Sequence, residues 1–264
     1  MFFPISDDNP SSSTPYVTYL LIGLCSFVFV LQYLSQMNPS IFYNFGFIPV
    51  DFFSDYSSLT IYTSMFLHGG LFHIAGNMLY LWIFGDNVED AMGRFRFILF
   101  YLLCGVVAAL AQAAIDPSSS IPMVGASGGI AGVLGAYLIL HPKAAVRCLM
   151  VIIVFFRFIN LPAWLVLGGW IGLQFAAAPQ TFHGTGGGVA YMAHIGGFVA
   201  GAALIPFFKK RHISLFDRGQ PPKTWSGQPV SFSEVKQEAR KQPRSNATPL
   251  TLLESNSDLV SASD

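Results

Sequence analysis

Six apolar stretches, several of them approaching or exceeding the roughly 18–20 residues that cross a hydrocarbon core, constrain this chain more than any other feature. They run from about Tyr16 to Leu34, Ile61 to Val88, Phe95 to Ala114, Ser127 to Leu140, Leu161 to Ala178 and Tyr191 to Phe208. With 53% hydrophobic residues, 11% charged residues and a mean hydropathy of +0.53, the composition excludes an ordinary soluble domain. The expectation is an all-α, multi-pass membrane protein. A short segment, 1–15, precedes the first span, with Ser12, Ser13 and Thr14 as cap candidates and Pro15 opening the helix. MFFPISDDNPSSS lacks the basic region and cleavage site of a secretory signal, so the first span is expected to be retained. Residues 148–158 are apolar but too short to span, and read as re-entrant or interfacial. Residues 209–264, rich in Ser, Pro, Gln and charge, read as a mostly disordered tail.

The basic residues orient the spans. All 14 Lys and Arg fall after the second, fourth and sixth spans: Arg94 and Arg96, then Lys143, Arg147 and Arg157, then Lys209 onward. Under the positive-inside rule this places both termini in the cytoplasm and leaves the odd-numbered loops outside. Loop one, about 35–60, is aromatic and free of Lys and Arg, as suits the outer interface. A net charge of zero gives no basic field for nucleic acid. Cys25, Cys104 and Cys148 lie in or beside apolar runs without ligand spacing, so no metal site is expected.

Polar residues inside the spans can then be placed by depth. His73 and Asn77 are four apart, on one face of the second span. Ser127 opens the fourth span and His194 lies one turn into the sixth. The four converge in the outer half of the membrane, where ionisable groups default to function. The fourth span is short: roughly 14 residues rise about 21 Å against a core of roughly 30 Å. Ser127 is therefore recessed, at a helix N-terminus whose free N–H groups suit an oxyanion.

Gly125-Ala126-Ser127-Gly128-Gly129 matches GxSxG, but an α/β-hydrolase needs an acid between Ser and His. None occurs between Asp116 and Asp217, which leaves a Ser–His dyad. Each group also has a structural reading: Ser127 as helix-packing residue, His194 as a satisfied interior histidine, His73 and Asn77 as an interhelical pair.

Together, HGGLFHIAGN (68–77), GASG (125–128) and AHIGGFVAG (193–201) resemble the signature segments of the rhomboid intramembrane serine proteases. The resemblance covers about 16–208 and implies a six-transmembrane-helix bundle without metal or cofactor. It implies Ser127 as nucleophile and His194 as general base. His73, Asn77 and the Ser127 N–H would stabilise the oxyanion, with His68 and Gly125 lining the site. Glu89 resembles the family's structural glutamate, and Gly197 and Gly201 would pack on Gly128 and Gly132. Two features depart from the pattern. Loop one has no Trp-Arg pair, and Ala131 stands where some relatives stack a tyrosine on the histidine, which leaves open what orients His194.

The implied partners are the lipid bilayer and single-span membrane substrates, in a bacterial cytoplasmic membrane. Two other readings are a non-catalytic, client-binding relative and a small transporter with histidines along its path. The glycine-rich loop five, 179–190, is a candidate cap, with the fifth helix as gate.

Overall fold

A computed structural model of the chain describes residues 2–52, 59–152, 155–179 and 189–217, all within one compact unit, Met1–Pro222. The structure is mostly helical. Six principal helices occupy the six apolar stretches: α1 Tyr16–Leu34, α5 Leu71–Met92, α6 Arg94–Ile115, α7 Ser127–Leu140, α8 Ala163–Ala177 and α9 Tyr191–Phe208. Among the described residues, α1, α6 and α9 are long and apolar enough to cross a membrane, whereas α7 and α8 are shorter apolar helices. Between α1 and α5 lie three short helices: α2 Pro39–Phe45, α3 Pro49–Phe52 and α4 Thr60–Thr63, the last running into a 3-10 turn at Ser64–Phe66.

The second span differs from its expected bounds. Gly69 and Gly70 are poor helix formers, and the chain runs extended at Gly70 (φ 163°, ψ 172°), so α5 starts at Leu71 rather than near Ile61. It continues to Met92 because its last turn is used rather than solvated. The Glu89 carboxylate accepts the Val17 and Thr18 N–H groups at 3.1 and 2.8 Å and the Thr18 hydroxyl at 2.8 Å. This caps α1, which has no side-chain cap of its own. Ser12 and Ser13, read as caps, donate instead to Asp90, at 2.6 and 2.7 Å from their hydroxyls.

Helix α7 is the axis of the bundle, with ten of its 14 residues buried. Its glycines let neighbours approach to backbone contact. A Cβ at Gly201 of α9 would sit 1.9 Å from the Gly132 carbonyl oxygen, one at Gly197 2.2 Å from that of Gly128, and one at Gly135 2.1 Å from that of Phe198. Helices α7 and α9 therefore pack through the small-residue faces expected of them.

The all-α expectation is corrected at the opposite end of the bundle from Ser127. Strands β1 (Phe2–Asp7), β2 (Ala145–Ile152) and β3 (Phe155–Pro162) form an antiparallel sheet in the order β1-β2-β3. Of residues 148–158, read as re-entrant or interfacial, 148–152 lie in β2 and 155–158 in β3, with Cys148 facing Ile159 and Leu149 facing Phe158. Pro4, Val146 and Cys148 are buried towards the bundle, while Phe3, Arg147 and Phe158 are exposed. Because both faces carry apolar side chains, the period-2 alternation that marks a strand is hidden in the sequence.

Residues 209–217 also fold back. Lys210 N–H donates to the Ala91 carbonyl, and Phe216 and Asp217 N–H groups donate to Ile139 and Leu140, each at 2.8 Å. These satisfy carbonyls that helix ends leave free. Residues 218–264, most of the expected tail, lie outside the described residues.

Candidate active site

Helix α7 begins at Ser127, so its first-turn N–H groups lack intrahelical acceptors. The segment before it is fixed by a backbone pair, in which Phe47 N–H donates to Met123 O at 3.0 Å and Met123 N–H returns to Phe47 O at 2.8 Å. Gly125 follows at φ +131°, a conformation that L side chains rarely adopt, held by its N–H on the Ser64 carbonyl at 2.9 Å. A Cβ there would lie 2.8 Å from His73 Nε2 and 3.6 Å from Ser127 Oγ. Gly125 is thus the spacer that allows His73 and Ser127 to approach.

The expected residues meet around a cavity of about 700 Å³ whose walls include Gly125, Ser127, His73, Asn77 and His194. Ser127 Oγ is 2.9 Å from His194 Nε2. Gly69 N–H donates to His73 Nδ1 at 3.3 Å, which leaves the proton of the neutral ring on Nε2, the nitrogen facing Gly125. Asn77 is 8% exposed, and its Nδ2 has no partner among the described residues. A hydroxyl, an imidazole acceptor and two directed N–H donors therefore share one hollow, the set that acyl transfer requires.

His68 does not line the cavity. It is fully buried behind His73, with ring centroids 5.3 Å apart, and its backbone N–H and C=O are both held by the Gln32 amide at 3.0 and 3.2 Å. His183 and most of loop five lie outside the described residues. No group of His, Cys, Asp and Glu that could hold a metal occurs among the described residues.

One contact was not anticipated from the sequence. Gln174 Oε1, on α8, lies 2.8 Å from His194 Nδ1, and the Trp170 ring lies 5.7 Å from the His194 ring at a 37° tilt. The available signal was the single strong hydrogen-bonding amide in AWLVLGGWIGLQFAA, a polar group of the kind that rarely enters such a helix without a partner.

The chain is similar to several known proteins. The family model described as the Rhomboid domain matches residues 56–211. The rhomboid protease GluP of Bacillus subtilis is 33% identical over 195 residues, covering 72% of this chain and 35% of that protein. Rhomboid protein 1, mitochondrial, of Saccharomyces cerevisiae is 28% identical over 149 residues, covering 55% of this chain and 40% of that protein. Rhomboid-like protein 11, chloroplastic, of Arabidopsis thaliana is 27% identical over 157 residues, covering 56% and 51%. The chain thus spans between 35% and 51% of the length of these curated relatives.

Proposed function

Because the chain belongs to the rhomboid family of integral membrane proteins, we propose that it is a serine endopeptidase that cleaves membrane proteins within the bilayer through a Ser127–His194 dyad. The observation that carries the reading is the 2.9 Å contact between Ser127 Oγ and His194 Nε2 at the cavity wall. In the reaction, Ser127 Oγ–H donates to Nε2, and the hydroxyl attacks the scissile carbonyl as its proton passes to His194. The developing oxyanion is received by the His73 Nε2–H, the Asn77 amide and the free N–H at the head of α7. His194 then protonates the leaving amine, and water, deprotonated by the same nitrogen, hydrolyses the acyl-enzyme.

A peptide bond in a helix is shielded, so the substrate is a single-span segment that unwinds locally on entering from the lipid. Helix α8 stands as gate. The topology we propose has six spans and cytoplasmic termini. In support, Arg94, Arg96, Lys209 and Lys210 gather at the sheet end, where Arg96 donates to the Phe208 and Lys209 carbonyls at 3.3 and 3.4 Å. Residues 16–208 form the membrane domain, with 1–15 and 209–217 on its cytoplasmic side. The identity with the Bacillus protein favours a bacterial cytoplasmic membrane.

The test compares wild type with Ser127→Ala, purified in detergent, for cleavage of a single-span reporter and labelling by a serine-reactive phosphonate. Wild type should do both and the variant neither. Cleavage by Ser127→Ala at the wild-type rate would refute the dyad, and an inert wild type would leave a client-binding relative as the better reading.

A further inference from the structure

The proposed dyad has no carboxylate to hold the histidine, and the place such a group would take is filled by an amide. We infer that Gln174 is the positioning residue of His194, fixing both its ring orientation and its tautomer from α8. The inference rests on the dyad proposed above.

Gln174 Oε1 lies 2.8 Å from His194 Nδ1, and Ser127 Oγ lies 2.9 Å from Nε2, so the ring is held at both nitrogens. Which end of the amide faces the ring follows from its other contact. Gln174 Nε2 donates to the Trp170 carbonyl one turn back, at 3.4 Å, so the oxygen is left for the imidazole. An amide oxygen only accepts. His194 Nδ1 must therefore carry the proton of the neutral ring, and Nε2 is left with the lone pair that receives the Ser127 proton. The opposite amide orientation would put the proton on Nε2 and leave no base facing the serine. A neutral amide in this role has a parallel in the Cys-His-Asn arrangement of papain-like proteases.

Trp170 restricts the ring from a second direction, with its own ring also 6.2 Å from Phe198. Both orienting groups come from a helix whose buried residues are only Ala163 and Leu167, in its first turns. Around Gly168, Gly169 and Gly172 an added Cβ would meet nothing within 4 Å. Gln174 therefore touches the bundle where α8 is otherwise loosely packed, and its hydrogen bond has a candidate purpose beyond anchoring the helix.

The experiment separates positioning from anchoring. Gln174→Met keeps length and packing but removes the strong acceptor, while Gln174→Glu restores an acceptor with charge. For wild type, both variants and Ser127→Ala, kcat and KM on a single-span reporter and the phosphonate labelling rate are measured from pH 5 to 9, with thermal midpoints. Gln174→Met should lower kcat and labelling in parallel, about 10- to 100-fold, as loss of one buried hydrogen bond predicts. Its KM and thermal midpoint should stay near wild type. Gln174→Glu should recover activity at high pH with the acid limb of its profile moved upward, because a carboxylate beside the ring favours the imidazolium. Wild-type kcat and labelling in Gln174→Met would overturn the inference while leaving Ser127-dependent cleavage intact. A change in KM or thermal midpoint alone would overturn it too, reducing Gln174 to a helix anchor. An inert wild type would instead remove the proposed dyad, and this inference with it.

Discussion

The Asn77 amide is buried at the cavity wall, and its nitrogen has no partner among the described residues. A buried donor left unsatisfied costs about 1–3 kcal/mol. Under the proposed reaction that cost is relieved when an oxyanion forms, so the interaction strengthens in the transition state, which is what lowers a barrier. Asn77→Ala should therefore reduce kcat by about 10²- to 10³-fold with little change in KM, as measured by steady-state cleavage of the reporter. Gly125→Ala should do comparable damage by another route. Its methyl would meet His73 Nε2 at 2.8 Å from a backbone at φ +131°, so the donor must move. The readout is a fall in phosphonate labelling with Ser127 and His194 both present. His73, Asn77, Ser127 and His194 were legible in the sequence because each is polar within an apolar run and the four share a depth. The spacing could not show that His68 is fully buried against His73, since a residue five positions before His73 is separated from it by the break at Gly69 and Gly70.

At the scale of elements, the packing of α7 on α9 depends on the absence of side chains at a few positions. Gly201→Ala forces a methyl to within 1.9 Å of the Gly132 carbonyl oxygen and should cost about 1–3 kcal/mol, seen as a lower thermal midpoint in detergent. Gly23→Ala, on an open face of α1 with nothing within 4 Å, is the control and should not lower it. The bounds of α1, α7 and α9 were readable because Pro15, His141-Pro142 and the Lys209-Lys210 pair interrupt apolar runs. The sheet was not readable, because its strands are apolar on both faces and the partner of β2 on one side is β1, far away in sequence. Glu89 shows the same limit. Its importance was legible, but that its carboxylate caps α1 depends on two helices meeting end to end.

For the molecule as a whole, β1 fastens the sheet to the helices through Asp7, which accepts from the Tyr137 hydroxyl of α7 and, at 3.3 Å, from Asn87 Nδ2 of α5. Burial pushes the Asp7 carboxyl up from 3.8 to about 7; the Tyr137 hydrogen bond opposes this, and the nearby Asp86 and Asp8 carboxylates add to it. The folded protein therefore holds the Asp7 proton more tightly than the unfolded chain does. Its contribution to stability declines as pH rises from about 4 through 7, and above that the fold carries a buried charge. Asp7→Asn should keep the Tyr137 contact, flatten this decline and raise the thermal midpoint above pH 7, measured in detergent from pH 5 to 8.5. The same strand sets an order of events during biosynthesis. Tyr137 lies 130 positions after Asp7, and the β2–β3 hairpin comes later still. As the ribosome delivers the chain from its amino end, β1 must wait unpaired until α7 and then β2 have been made. Strand β1 is thus made before the segments it pairs with and takes its place after them, so its pairing acts as a seal on the bundle. Resistance of this segment to protease would appear late in a synthesis time course, after β2 has been made.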